Sequence, residues 1–140
     1  FGKVKSIQGT VGKFSNLEIT SDDLALSILK FKKNNIIGHV HLDLLQFEKS
    51  RSFKIIGTKG VIEGSLVSNK LKLFNNNKKR TVEKRFNYNF NNIYLTQLIQ
   101  FWALINNKKS NLSTGEEAYH TMEIIEGIRK SNKLGRKILI

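Results

Sequence analysis

The apolar residues change their period once along the chain, at Asn91, and that change limits the possible folds more than any other feature. From Lys3 to about Phe86 they alternate with a period of two, which marks strands buried on one face. In NNIIGHVHLDLLQ, Ile36, Val40, Leu42 and Leu44 share one side with Gly38, while His39, His41 and Asp43 share the other. The preceding DDLALSILKFKKNN alternates in the same way, and Lys33-Asn34-Asn35 supplies turn chemistry between the two. An antiparallel hairpin is predicted there. KVKSIQGTVGKF, SRSFKIIG, GVIEGSLV, NKLKLF and RTVEKRF, separated by Gly, Asn and Ser, predict further strands, about six or seven in all.

Beyond Asn91, NNIYLTQLIQFWALINN places Tyr94, Leu98, Phe101 or Trp102, and Ile105 at steps of three and four, one face of a helix. A second helix is predicted in STGEEAYHTMEIIEGIRKSNKLG, which opens on the capping-box pair Thr114 and Glu117 and reaches a helix-ending Gly135. Its acids lie in the first turn and its bases in the last, as the helix dipole favours. Ala118, Met122, Ile125 and Ile128 share its apolar face, and Phe101 and Trp102 are assigned to the core. RKILI at the end reads as a short edge strand. Strands first and helices after predict an α+β domain: an open, mainly antiparallel sheet with two helices packed on one face, spanning 1–140 as a single domain.

The length of 140 residues suits one core. With no cysteine, disulfides, zinc fingers and thiol nucleophiles are excluded. No apolar run approaches the ~18 residues of a spanning helix, and the N-terminus lacks a signal-peptide pattern; a cytoplasmic location without membrane partners is expected. The net charge of +13 exceeds the magnitude of about 2 to 8 usual for a small domain. Its densest cluster is Lys78-Lys79-Arg80, and the other lysines are scattered between apolar residues. That pattern predicts a solvated surface with weak, sequence-indifferent affinity for nucleic acid and no specific nucleic-acid partner.

KIIGTKGVIEG, Lys54 to Gly64, contains a G-x-x-G at Gly57 and Gly60 like the loop with which KH modules clamp RNA. Such a loop joins two helices, whereas both flanks here are rich in β-branched residues. A two-residue hairpin tip, Thr58-Lys59, is the reading taken, with a KH-like RNA-binding module as its rival. There is no G-x-G-x-x-G, no Walker loop and no H-E-x-x-H. His39, His41 and Asp43, two apart on one strand, point to one face and form the polar constellation from which a ligand site is expected; no metal is assigned to it. Arg51 adds a candidate anion clamp.

FGKVKSIQGTVG, DDLALSILKFKKN, HVHLDLLQ, RSFKIIGTKGVIEG, NNIYLTQLIQFWALINN and GEEAYHTMEIIEGIRKSNKLGRKILI, in that order and over nearly the whole chain, resemble the C-terminal domain of the Gfo/Idh/MocA oxidoreductases, the glucose-fructose oxidoreductase and inositol dehydrogenase family. HLDLLQ followed by an arginine is also similar to members associated with surface-sugar and nonulosonate biosynthesis. The resemblance implies a parent enzyme in which an N-terminal Rossmann domain holds NAD or NADP and an open C-terminal sheet lines a sugar pocket and mediates oligomerisation. The Rossmann fingerprint, the glutamate-lysine-proline motif and the helix bearing a histidine four residues after an aspartate are missing from these residues. A fragment is therefore expected, inactive alone and binding no cofactor, with its Rossmann domain in the same parent chain and a sugar-like substrate. His39, His41, Asp43, Arg51, Asn91 and Tyr94 are the candidate pocket or interface residues, none of them catalytic. Two helices cover one face of such a sheet, so its other face, around the strand from Ile36 to Gln46, is expected to form a homodimer. A purely structural dimerisation domain is the remaining alternative.

Overall fold

The computed structural model describes residues 1–87 and 89–140, and their contacts cluster into two units: Phe1–Leu45 with Ser113–Ile140, and Gln46–Leu112. The first unit holds strands β1 (Val4–Gly12), β2 (Leu24–Phe31), β3 (Ile37–Asp43) and β8 (Ile138–Leu139) and the helix α2 (Gly115–Leu134). The second holds β4 (Ser52–Gly57), β5 (Gly60–Ser65), β6 (Lys70–Asn75) and β7 (Arg80–Arg85), followed by α1 (Phe90–Ile105). Both sheets are antiparallel throughout. The class is α+β as expected. The strands divide into two sheets of four, ordered β3-β2-β1-β8 and β4-β5-β6-β7, rather than one sheet of six or seven. Alternation fixes which residues share a face and is silent on which strands are neighbours.

In the first unit β2 and β3 form the expected hairpin. Asn34 and Asn35 both have positive φ, 58° and 50°, and Ile36 N donates to Lys33 O at 3.5 Å. Both residues are left-handed, a conformation Asn tolerates better than other side chains, in the four-residue loop closed by Phe31 N donating to Ile36 O at 3.0 Å. The register pairs Ile7 with Leu29 and Ser27 with Val40. Ile7, Leu29 and Val40 thus share one face, and with Val4, Phe31, Ile124, Ile128 and Ile140 they make the core beneath α2. Ile7 is fully buried, worth about 1.5–3 kcal/mol relative to exposure.

α2 begins and ends where the sequence predicts. Glu117 N donates to Thr114 Oγ1 (3.2 Å), Thr114 N donates to Glu117 Oε2 (2.9 Å), and Gly135 closes the helix in the left-handed region at φ 61°. The packed face, however, is not the predicted one. Ala118, Met122 and Ile125 are exposed, and of the expected stripe only Ile128 packs. The face against the sheet is His120, Ile124, Gly127, Ile128 and Ser131. Its polar members have a backbone task. β8 pairs with β1 only at Ser6 and Ile7, and α2 side chains take up the flanking groups: His120 Nε2 accepts from Val4 N (3.1 Å), Ser131 Oγ accepts from Gly9 N (3.1 Å), and Asn132 Nδ2 donates to Val11 O (2.9 Å). A hydrophobic stripe search misses a face that doubles as a hydrogen-bonding edge. Gly9 lets the helix this close. A Cβ there would lie 2.6 Å from the Leu26 carbonyl oxygen and 3.1 Å from Ile128 Cγ2.

In the second unit the meander runs through tight turns. Gly57 pairs with Gly60 across Thr58-Lys59, a two-residue hairpin. A Cβ on Gly60 would run into the Phe74 carbonyl oxygen. The G-x-x-G therefore joins two strands, which removes the structural basis of the KH reading. One face of the meander carries the charged row Lys54, Glu63, Lys72 and Glu83, one residue per strand; the other carries Ile55, Ile62, Leu73 and Val82. Glu63 is held below the usual carboxylate range by the hydrogen bond and charge of Lys54, with Lys72 adding to the effect.

α1 starts on Asn89, whose side chain accepts from Asn91 N at 3.0 Å. It does not pack on the meander. Ile93, Tyr94, Leu95, Leu98, Ile99, Phe101, Trp102, Leu104 and Ile105 are all exposed, Trp102 by 69%. Assigning Phe101 and Trp102 to the core, and both helices to a sheet face, is corrected accordingly: within these residues only α2 covers a sheet. Among the described residues no helix is long and apolar enough to cross a membrane.

Candidate functional site

The face of the first sheet turned away from α2 holds the polar strip. β3 alternates, so Ile37, His39, His41 and Asp43 lie on the side opposite Val40. The register sets Leu24, Leu26 and Ile28 of β2 beside Asp43, His41 and His39, and Gln8, Thr10 and Gly12 of β1 beyond them. This face mixes imidazoles and amides with half-buried aliphatic side chains.

Within the strip the three candidates separate into two environments. His41 and Asp43 come together: Nε2 lies 2.9 Å from Oδ2, and Leu45 N donates to Oδ1 at 2.9 Å. The Asp43 side chain is 3% exposed and that of His41 47%. A carboxylate can only accept here, so Nε2 carries the proton that meets Asp43, and in the neutral ring Nδ1 is the acceptor nitrogen. His39 lies one row away, across from Ile28 and Gln8. It lines an open groove of about 460 Å³ with Gln8, Thr10, Leu26, Ile28 and, from the end of α2, Ser131, Asn132 and Gly135. That volume is within the roughly 300–1,000 Å³ of small-molecule sites.

The other candidates belong to the second unit. Arg51 is exposed just before β4, and its carbonyl accepts from Leu66 N at 2.8 Å. Asn91 and Tyr94 lie in the first turns of α1, both exposed. Among the described residues no three His, Cys, Asp or Glu side chains are grouped to hold a metal ion.

One residue beside the strip escaped sequence reasoning. Asp23, 2% exposed, accepts from Phe14 N (2.7 Å), Ser15 N (2.9 Å) and the Ser15 hydroxyl, and its backbone carbonyl accepts from Leu44 N. The Ser15 hydrogen bond leads in holding its carboxyl below the usual range; burial opposes this, and the Phe14 and Ser15 amides and the Lys13 charge reinforce it. It ties the β1–β2 loop to the end of β3 where Asp43 sits. Sequence reasoning places Asp22-Asp23 at the head of the alternating run DDLALSILKFKKNN and gives neither a role.

Among the described residues neither helix N-terminus is opened by a glycine-rich turn. A pyrophosphate is held by a glycine-rich turn opening a helix after a parallel strand. Here the N-terminus of α2 is closed by its own capping box and carries Glu116 and Glu117, while α1 follows an antiparallel meander.

Comparison with known proteins gives these surfaces a context. A model of the oxidoreductase family C-terminal alpha/beta domain, that of the Gfo/Idh/MocA proteins, matches residues 1–140. The chain belongs to this family. Solved structures share its fold at low identity. The aldose-aldose oxidoreductase of Caulobacter crescentus, complexed with glycerol, matches with a TM-score of 0.77 and 12% identity over 99% of this chain and 42% of that one. The WlbA dehydrogenase of Bordetella pertussis, in complex with NADH and UDP-GlcNAcA, gives 0.71 and 16% over 99% and 41%. A super-repressor mutant of Gal80p from Saccharomyces cerevisiae gives 0.71 and 18% over 99% and 44%. This Gfo/Idh/MocA domain thus spans less than half the length of each. No curated protein matches it by sequence.

Proposed function

We propose that this Gfo/Idh/MocA domain is the substrate-binding and oligomerisation part of an NAD(P)-dependent dehydrogenase acting on a sugar or nucleotide sugar. The family match over residues 1–140 carries the reading. The chain's residues do not fit the cofactor, which belongs to a Rossmann domain of the parent; the cofactor there takes or gives the hydride. The residues described here position the sugar. His41, oriented by Asp43, accepts a hydrogen bond from a hydroxyl through Nδ1, and His39 with Gln8 binds polar groups in the groove. Arg51, Asn91 and Tyr94, exposed on the second unit, are assigned to that unit's own interface. The nucleotide-sugar class is supported by WlbA, whose structure holds UDP-GlcNAcA.

α1 supports the larger assembly. A helix apolar nearly all round is one that is covered in its working state. Ile37 (69% exposed), Ile28 (53%) and Leu45 (38%) give the open sheet face the mixed character of a subunit interface, and a homodimer through that face is part of the proposal. In the complete enzyme, His41→Ala and Asp43→Asn should raise KM for the sugar about tenfold or more with KM for the nicotinamide cofactor unchanged, as expected for a lost hydrogen bond of about 1.5 kcal/mol. Unchanged sugar KM in both variants would remove the strip from the substrate site. Gal80p shows that the fold also occurs in a repressor; a complete protein that turns over no sugar with either cofactor would leave the purely structural reading.

A further inference from the structure

The net charge is divided unequally between the two units. Gln46–Leu112 contains thirteen Lys and Arg against three Glu, so +10 of the chain's +13 resides in the unit of the meander. Within that unit the charge is unequally compensated. The middle of the sheet carries its acids: Glu63 meets Lys54 at 2.7 Å, and Glu83 meets Lys70 at 3.4 Å and Arg85 at 3.8 Å. The turn end has none. Asn76 N donates to Lys59 O at 2.9 Å, which fastens the β6–β7 turn against the tip of the β4–β5 hairpin. Lys59, Lys78, Lys79 and Arg80 are thereby brought to one end of one sheet, with no acid in residues 57–60 or 75–81. Among the described residues no carboxylate pairs with any of the four.

We propose that this turn end, Lys59 with Lys78, Lys79 and Arg80, binds the phosphate backbone of nucleic acid. Four exposed cations hold a lone phosphate weakly, because water and salt screen each contact. A polyanion engages several at once and releases its condensed counterions. A second copy of the chain is a poor occupant, since it brings the same +10 unit. A membrane surface is disfavoured too, because Thr58, Asn76 and Asn77 offer nothing apolar to enter the acyl boundary. The tip residues include no aromatic side chain to stack on bases, so only phosphates are engaged and neither sequence nor strand form is selected. This differs from a KH clamp, which needs helices on both sides of its loop. It is also independent of the His39, His41 and Asp43 strip, whose residues belong to the other unit.

The test is fluorescence anisotropy of labelled oligo-dT against salt. Four phosphate contacts give a log–log slope of about −3, at roughly 0.7 per phosphate on a single strand. The triple change Lys78→Gln, Lys79→Asn, Arg80→Gln should flatten it to about −1. Asn suits position 79, where φ is 46°. Lys59→Gln alone should remove about 0.7. A control with the same loss of charge in the first unit, Lys32→Gln, Lys130→Gln, Lys137→Gln, should leave the slope as in the wild type. Circular dichroism checks that each variant is folded. Equal weakening by the control, no anisotropy change at low salt, or retention on phosphatidylserine vesicles that oligo-dT does not reverse would each overturn the assignment.

Discussion

Ser131 and Gly9 are joined by a hydrogen bond from the Gly9 amide to the Ser131 hydroxyl at 3.1 Å, and the same hydroxyl donates to Arg136 O at 2.8 Å. Ser131 is 1% exposed. One side chain thus satisfies an edge amide of β1 and a carbonyl just past the end of α2. Ser131→Ala strands both groups where water reaches poorly, and the cost should be about 1–3 kcal/mol. Urea denaturation of the two proteins gives the difference. A change under about 0.3 kcal/mol would mean that water replaces the hydroxyl at no cost.

Asp23 makes the first unit sensitive to acid. Its carboxyl titrates lower in the folded chain than in the unfolded one, so the unfolded state binds its proton first as pH falls. The stability it contributes is complete above about pH 4, the unfolded value, and is lost as pH drops through the folded value. Asp23→Asn should lower stability at pH 7 and leave a curve flatter than the wild type's below about pH 4. Parallel curves for the two proteins across that window would show that Asp23 does not supply the dependence.

Gly60 sets the hairpin that decides against an RNA clamp. Gly60→Val should cost more than about 1 kcal/mol, because the Phe74 carbonyl occupies the place of the new Cβ. Thermal melts would register this as a lowered Tm. An unchanged Tm would mean that the turn has another geometry.

The open face of the first sheet is expected to carry the homodimer. Ile37→Asp with Leu45→Asp should lower the sedimentation mass from dimer to monomer while circular dichroism stays unchanged. A wild-type chain that is monomeric at high micromolar concentration would remove the interface and leave the strip as pocket lining alone.

Much of this architecture is written locally. Asn34-Asn35 specify their own turn, Thr114 and Glu117 their own cap, and Gly135 its own helix end. The parity of β3 likewise separates His39, His41 and Asp43 from Val40 before any partner is known. Non-local facts are harder to read. Whether strands belong to one sheet or two depends on pairing partners, which alternation does not encode. The sheet-facing side of α2 was misread because His120 and Ser131 serve β1's backbone, a requirement created only when β8 proves two residues long. For α1 the periodicity was legible, but an apolar helix announces only that something covers it. The pairing of His41 with Asp43 was visible as spacing, whereas the near-complete burial of Asp43 was not.

The division of labour between this domain and a separate cofactor domain is the central claim, and calorimetric titration of the chain with NADH and NADPH tests it most directly. With the N-terminus of α2 closed by Thr114, Glu116 and Glu117, and no glycine-rich turn leading into α1, no heat of binding is expected for either cofactor at concentrations up to about a millimolar. Saturable binding at micromolar concentration would contradict the account, since the chain would then hold the dinucleotide that it assigns to another domain.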